Sequence, residues 1–117
     1  MNKRRIGSDK EELAAAYLIN NGYRILKRNF FSRAGEIDII AKDGDVLCFI
    51  EVKYRKNVEE GLPEEAVDIS KIRRISRTAL VYMSMCGLPQ ETPCRFDVVA
   101  ILENDIHLIK NAFDAVL

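Results

Sequence analysis

The feature that most constrains this chain is a pair of strand-like runs in which charged residues stand among apolar ones. The runs, Gly35–Ala41 and Val46–Tyr54, flank an Asp-Gly pair at positions 43 and 44. An Asp-Gly pair between two alternating segments is the strongest short-range signal for a β-hairpin. The sequence therefore predicts two antiparallel strands joined by a tight turn.

Alternation along a strand assigns each of these residues to a face of the predicted sheet. In the first strand, three residues share one face and three share the other: Glu36, Asp38 and Ile40 against Ile37, Ile39 and Ala41. In the second strand, Leu47 and Phe49 form an apolar face, and the charged residues Glu51 and Lys53 continue it. Because burying unpaired charge costs free energy, these carboxylates need a partner, and a divalent metal ion is the obvious candidate.

Length and composition predict one ordinary globular domain spanning residues 1–117. A content of 48% hydrophobic and 31% charged residues is typical of such domains, and this length suffices for a single core. No run reaches the roughly 18 apolar residues of a membrane span. No apolar stretch follows the basic first residues, so no secretory signal is predicted. The three cysteines form no Cys-x-x-Cys pair and indicate a reducing, cytoplasmic setting.

The distribution of charge leaves the choice of partner open. The net charge is zero, which does not by itself favour nucleic acid. Basic residues are nonetheless concentrated in the first two thirds of the chain, and only Arg95 and Lys110 lie beyond Arg77. A run of charge is equally well explained by a solvated surface.

Periodicity in the rest of the chain predicts two helices and three further strands. The helices are expected over residues 9–20 and 68–86, and the strands over 23–28, 95–102 and 106–110, with a loop at 29–35. A long helix between the third and fourth strands is the connection that a parallel pair requires. The sequence thus predicts an α/β domain of order α-β-β-β-α-β-β, with a mixed β-sheet flanked by helices.

One combination within the hairpin forms a known motif. The motif consists of Asp38 followed, after a spacer, by Glu51-Val52-Lys53. It resembles the catalytic motif of the PD-(D/E)XK nuclease superfamily, which includes type II restriction enzymes. The chain as a whole is more similar still to the bacterial YraN family, a poorly characterised group similar to archaeal Holliday-junction resolvases. Segments that match that family's pattern are Tyr17-Leu18, Gly22–Leu26, Arg28-Asn29, Gly35–Asp38, Phe49–Lys53 and Arg95–Val99. The resemblance implies a restriction-endonuclease-like fold and a metal-dependent endonuclease acting on DNA, including branched or structured DNA.

The resemblance also implies a role for each residue of the motif. Asp38 and Glu51 are expected to bind Mg²⁺ or Mn²⁺, with the Val52 backbone carbonyl as a candidate third ligand, because hard cations prefer oxygen. Lys53 is expected to orient the attacking water and stabilise negative charge. Since two nearby carboxylates should hold the pKa of Lys53 up, we do not expect it to act as a free base. Glu11, in the first predicted helix, resembles the acid that reaches the metal or its water shell.

Other residues are candidates for supporting roles. Two acids are candidates for contacts that position the metal ligands: Glu36 and Asp97. Four basic residues are candidate nucleic-acid contacts: Arg33, Arg55, Lys71 and Arg74. The alternatives are a solvated helix face for Lys71 and Arg74, a helix-dipole preference for Glu11 and an exposed ion pair for the motif itself. Where the family pattern Gly-x-x-Gly-Glu has its second glycine, this chain has Lys10, which changes the surroundings of Glu11 and not those of the metal ligands.

Further alternatives bear on function and assembly. The same fold without catalysis would be a nucleic-acid-binding or assembly module. A metabolic enzyme lacks support, because the sequence has no Gly-rich phosphate loop and no Ser-His-Asp or Cys-His arrangement. A zinc site formed by Cys86, Cys94 and His107 has no matching ligand spacing, and core packing is the better interpretation. The apolar residues 112–117 are expected either to contribute to a twofold homodimer interface or to close the core.

Overall fold

The hairpin and the long crossover helix organise the fold. In the computed structural model, residues 3–57, 59, 61 and 67–117 are described, with side chains from residue 9 onward. These residues form two helices and five strands: α1 (Lys3–Asn20), β1 (Arg24–Ser32), β2 (Gly35–Asp43), β3 (Val46–Arg55), α2 (Ile69–Met85), β4 (Cys94–Leu102) and β5 (Asp105–Phe113). The predicted order α-β-β-β-α-β-β is confirmed. Within this described part of the chain, neither helix is long and apolar enough to span a membrane.

The five strands form one sheet in chain order, β1-β2-β3-β4-β5. Neighbouring strands are antiparallel except β3 and β4, which are parallel from Leu47 beside Cys94 to Arg55 beside Leu102. Because α2 lies between β3 and β4 in the chain, it makes the crossover that a parallel pair needs. The predicted mixed sheet with flanking helices is therefore confirmed.

The core has two layers, one on each face of the sheet. The layer beneath α1 joins that helix to the three inner strands, through Ala14, Ala15, Leu18, Tyr23, Ile39, Ala41, Cys48, Ile50, Val99 and Ile101. The layer beneath α2 is richer in aromatic side chains and contains Phe30, Ile37, Ile40, Leu47, Phe49, Ile75, Ala79, Met83 and Phe96. Successive residues of β3 belong to alternate layers, which is the pattern of a strand covered on both faces.

Three elements extend at least three residues beyond the bounds that the sequence predicts. β1 extends to residue 32 rather than 28, so most of the predicted loop at 29–35 is strand. Most residues of this edge strand are exposed or half-buried, including the apolar Leu26 and Phe31, so its sequence shows no clear two-residue periodicity. β5, at the other edge, extends to residue 113 rather than 110, and α1 begins at residue 3 rather than 9.

The apolar end of the chain packs on the domain's own core. The Phe113 ring stacks on the Phe96 ring with 5.1 Å between their centroids. The Val116 amide donates a hydrogen bond to the Ser76 hydroxyl of α2 at 3.0 Å. Of the two expectations for residues 112–117, these contacts support closing the core.

Candidate active site

The β2–β3 hairpin opens at the position of Asp38. Backbone pairing between the two strands ends where Ile39 lies beside Ile50. Further along, the Val52 amide donates a hydrogen bond to Oδ2 of Asp38 at 2.8 Å. A carboxylate thus accepts a hydrogen bond that a backbone carbonyl would accept in a regular ladder. This contact holds the Asp38 carboxyl group between the strands, with only 9% of the residue exposed.

β2 changes face at the same place. Ile39 packs in the layer beneath α1, whereas Ile37 packs beneath α2 together with Ile40. The prediction that Ile37 shares a face with Ile39 is therefore wrong. Across from this point on β1 lies Asn29, whose left-handed φ of 53° breaks the regular alternation of the ribbon. Asp38 consequently lies where the ribbon turns and can interact with both α1 and β3.

Glu51 lies on the predicted face of β3 and is 5% exposed. Its Oε1 accepts a hydrogen bond from Nζ of Lys71 at 2.6 Å and lies 3.5 Å from Nζ of Lys53. Lys53 follows on the same strand, whereas Lys71 comes from the first turn of α2. Asp68 caps that turn, because its carboxylate accepts a hydrogen bond from the Lys71 amide at 2.9 Å. Two ammonium groups from different elements therefore share one carboxylate.

The acidic residues of the site interact with one another. Burial raises the pKa of Asp38 to about 8, and the negative charge of Glu51 contributes to the increase. Glu11 and the exposed Glu36 raise the pKa of Asp38 further, while the hydrogen bond from Val52 lowers it. Among the ion pairs of the described residues, none involves Asp38. The site therefore contains more acidic than basic side chains.

The two ammonium groups have opposite pKa shifts. Burial lowers the pKa of Lys53, and the neighbouring Lys71 lowers it further, so that together they outweigh the attraction of Glu51. The expectation that nearby carboxylates hold the pKa of Lys53 up is therefore wrong. Burial also acts to lower the pKa of Lys71, but its hydrogen bonds to Glu51 and Lys53 outweigh burial and raise it. Lys53 is thus the ammonium that gives up its proton more readily.

Helix α1 brings Glu11 to the site. Burial raises the pKa of Glu11, and its side chain interacts with Asp38. Lys10, which stands at the family's glycine position, points to a different place: its Nζ lies 4.6 Å from the centre of the Tyr54 ring and 3.5 Å from the Glu103 carbonyl oxygen. These contacts fix α1 against the end of β3 and leave Glu11 beside Asp38.

The available donor atoms fit a hard divalent cation. The contacts described above use one oxygen of each central carboxylate, Oδ2 of Asp38 and Oε1 of Glu51. Mg²⁺ is usually bound by one or two carboxylates and completes its shell with water and phosphate oxygens. Among the side chains that the structure describes, no cluster of three or more Asp, Glu, His or Cys residues forms a metal-binding group. The pair therefore suits an ion that keeps open positions, and does not suit zinc held entirely by protein.

Two of the four predicted nucleic-acid contacts, Arg33 and Arg74, are carried by elements that contact each other. Gly35 packs so tightly on α2 that a Cβ atom there would lie 3.4 Å from the Cβ of Arg74. The turn that carries exposed Arg33 is therefore seated on the helix that carries Arg74. Arg55 instead lies at the far end of β3, where its guanidinium donates a hydrogen bond to the Tyr54 carbonyl at 3.0 Å.

Asp97 belongs to a separate cluster and is fully buried, with 0% of the residue exposed. It accepts hydrogen bonds from the Tyr23 hydroxyl at 2.9 Å and from the Arg95 guanidinium at 2.8 Å. It also accepts one from the Asn111 amide at 2.9 Å. Arg95 continues the network to Asp43 at 2.7 Å. These contacts join β4 to β5, to the end of β2 and to Tyr23 before β1, so the structure supports an architectural role for Asp97 and not a contact with the acidic pair.

The place of Lys71 was not evident from the sequence, which identified it only as a candidate nucleic-acid contact. Its ion pair with Glu51 depends on how the crossover positions α2 over β3. The capping residue Asp68 is the one local signal, because it fixes where the helix begins.

Comparison with known proteins adds a family assignment. The profile of Uncharacterised protein family UPF0102 matches residues 10–101, a range that includes the whole candidate site. A UPF0102 protein of Lachnoclostridium phytofermentans is 57% identical over 115 residues, which cover 98% of each chain. A UPF0102 protein of Persephonella marina is 45% identical over 108 residues, or 92% of each chain. A UPF0102 protein of Symbiobacterium thermophilum is 46% identical over an alignment 117 residues long, which covers 96% of this chain and 98% of the relative.

Proposed function

The chain belongs to uncharacterised protein family UPF0102, the YraN family that its motifs resemble, and we propose that it is a metal-dependent endonuclease that hydrolyses phosphodiester bonds in DNA. The observation that carries this proposal is the convergence of Asp38, Glu51 and Lys53 where β2 and β3 separate. Two buried acids and an adjacent amine, arranged in this way, are poorly explained by stability, because exposed ion pairs contribute little and buried ones are costly.

Each residue of the site has a separate task in the proposed reaction. Asp38 and Glu51 would hold the cation, with the Val52 carbonyl as the candidate third ligand and Glu11 as a further acid beside Asp38. A bound Mg²⁺ or Mn²⁺ supplies a Lewis acid for the phosphate oxygens and the leaving oxygen. Lys53 orients the attacking water and, because burial lowers its pKa, can also accept a proton from that water.

The basic residues around the site support a nucleic-acid substrate. Arg33 and Arg74 are exposed and carried by elements in direct contact, so both guanidinium groups can bind phosphates of one backbone. Arg55 extends the basic surface along β3. Contacts of this kind read charge and shape rather than sequence, which is consistent with branched or structured DNA.

The test is a cleavage assay with a four-way junction, a linear duplex and a single strand of the same sequence. Purified protein is incubated with each DNA and Mg²⁺, Mn²⁺ or EDTA. We expect metal-dependent cleavage that falls at least about a hundredfold in Asp38→Asn and Lys53→Met. The matched control is Lys110→Met, which removes an exposed ion pair with Asp43 outside the site. Equal cleavage in EDTA, or no cleavage of any DNA together with no Mn²⁺ binding by calorimetry, would reject the proposal.

A non-catalytic binding or assembly module is the second candidate. The ion pair of Lys71 with Glu51 at 2.6 Å favours it, because an ammonium group already neutralises one of the two central acids. In that case DNA binding would persist without cleavage. Neither Asp38→Ala nor Lys53→Ala would then change any measured activity.

A twofold homodimer would allow two sites to act on two DNA strands. We keep this as part of the proposal for branched substrates. Light scattering tests it directly: a monomer at all concentrations, both free and bound to a four-way junction, would remove the dimer from the proposal.

A further inference from the structure

Two lysines, Lys53 and Lys71, contact the same oxygen of Glu51. Lys71 makes the shorter contact, although it is farther from Glu51 in the sequence. Nζ of Lys71 lies 2.6 Å from Oε1, whereas Nζ of Lys53, two residues away on the same strand, lies at 3.5 Å. The shorter distance is that of a charge-assisted hydrogen bond. Between the two lysines, Lys71 is therefore the main cationic partner of Glu51.

The two lysines differ in how firmly they are held. Lys53 belongs to the central strand β3, between β2 and β4, and 17% of its side chain is exposed. Lys71 belongs to the first turn of α2, and 28% of its side chain is exposed. A lysine side chain is a flexible four-carbon stem, so Lys71 can move its ammonium group without any movement of the helix.

A dication bound to Glu51 would weaken the contact of Lys71 with the same carboxylate. With Asp38 and Glu51 ionised, and Glu11 and Glu36 nearby, the acids outnumber the two ammonium groups. The acidic pair can therefore accept further positive charge. A dication that shared Oε1 of Glu51 would, however, repel an ammonium group within hydrogen-bonding distance of the same oxygen.

We propose that Lys71 holds Glu51 in the metal-free protein and releases it when the site takes up a divalent cation, leaving the Lys71 ammonium group free to bind the DNA phosphate. This inference rests on the proposed function, since it assumes that Asp38 and Glu51 are metal ligands. Lys71 then has two roles in sequence. It first holds the Glu51 carboxylate beside Asp38, and it afterwards couples metal binding to binding of the substrate phosphate.

The test measures metal binding rather than cleavage. Free Mn²⁺ is titrated by electron paramagnetic resonance against the wild type, Lys71→Met and the control Lys110→Met. Because methionine keeps the length of the side chain and removes the competing charge, we expect Lys71→Met to bind Mn²⁺ roughly three- to tenfold more tightly. Lys110→Met should bind as the wild type does, and Asp38→Asn should not bind.

A second measurement follows Lys71 in the wild-type protein. Addition of Mg²⁺ should shift the NMR signals of the Lys71 ε-methylene group toward those of a free lysine, while the Lys110 signals stay in place. If the wild type binds Mn²⁺ but Lys71→Met binds it equally or more weakly, the exchange is wrong and the metal site stands. If no variant binds Mn²⁺, the metal site and the exchange are both rejected.

Discussion

Replacing Asp38 by asparagine should stabilise the metal-free protein while it abolishes the proposed activity. In the unfolded chain the carboxyl group has its ordinary pKa of 3.8, whereas in the folded protein burial and the charge of Glu51 raise that pKa to about 8. Between these pH values the folded state keeps a proton that the unfolded state has lost. The free energy of unfolding therefore falls as the pH rises through this window.

The size of the effect follows from the width of the window. Each pH unit above the ordinary pKa of 3.8 lowers the free energy of unfolding by about 1.4 kcal/mol. At pH 8 the total loss has an upper limit of about 5 to 6 kcal/mol. Asparagine cannot ionise, has the size of aspartate and still accepts the hydrogen bond from Val52. Because part of the repulsion is already relieved by the lysines on Glu51, we expect Asp38→Asn to gain about 2 to 4 kcal/mol at pH 8 and almost nothing at pH 4.

Urea unfolding followed by circular dichroism measures this difference, since the chain has no tryptophan for fluorescence. The wild type, Asp38→Asn and the control Lys110→Met are compared in EDTA at pH 4, 6 and 8. Added Mg²⁺ should then stabilise the wild type and Lys110→Met but not Asp38→Asn. The reasoning would be refuted if Asp38→Asn were less stable than the wild type at pH 8, because the Val52 hydrogen bond to a charged carboxylate would then outweigh the cost of burial.

Three further outcomes are expected. Cleavage by the wild type should increase with pH as Lys53 loses its proton below the ordinary lysine range, and Lys53→Met should remove this dependence; a flat wild-type profile would count against a proton-accepting role. Asp97→Asn should lower the free energy of unfolding by about 2 to 4 kcal/mol in the urea assay, because it removes the buried negative charge that the Arg95 guanidinium contacts at 2.8 Å, and an unchanged midpoint would contradict this. Gly35→Ala should cost about 1 to 3 kcal/mol, since the residue has a φ of 151° and its new Cβ would lie 3.3 Å from Oγ1 of Thr78; a variant of wild-type stability would show that α2 can move away.

The parts of the fold that sequence predicted well are those with local causes. The β2–β3 turn is fixed by Asp43 and Gly44, whose φ of 60° suits glycine, and by apolar runs on both sides. The parallel pair followed from the length of the intervening helix. The edge strands were predicted too short, because their exposed residues need not be apolar.

The parts of the site that sequence missed depend on contacts between distant elements. Alternation placed Ile37 on the wrong face, because the ribbon turns at Asn29 and Asp38 and no periodicity signals that turn. The pKa of Lys53 was predicted in the wrong direction, because burial lowers it and Lys71, which comes from a distant part of the chain, lowers it further. Both errors concern the site itself, where buried charge breaks the regular pattern.

The parallel pairing of β3 with β4 bears on the order in which the protein folds. The β2–β3 hairpin joins residues close in the chain, whereas β4 can pair only after α2 and both of its connections have been arranged. Non-local pairs of this kind form slowly, because loop closure is paid for before the contacts are made. In a nascent chain, Asp38 and Glu51 should therefore come together before α2 places Lys71 beside Glu51. In a pulsed hydrogen-exchange experiment, the amides of the hairpin should become protected first.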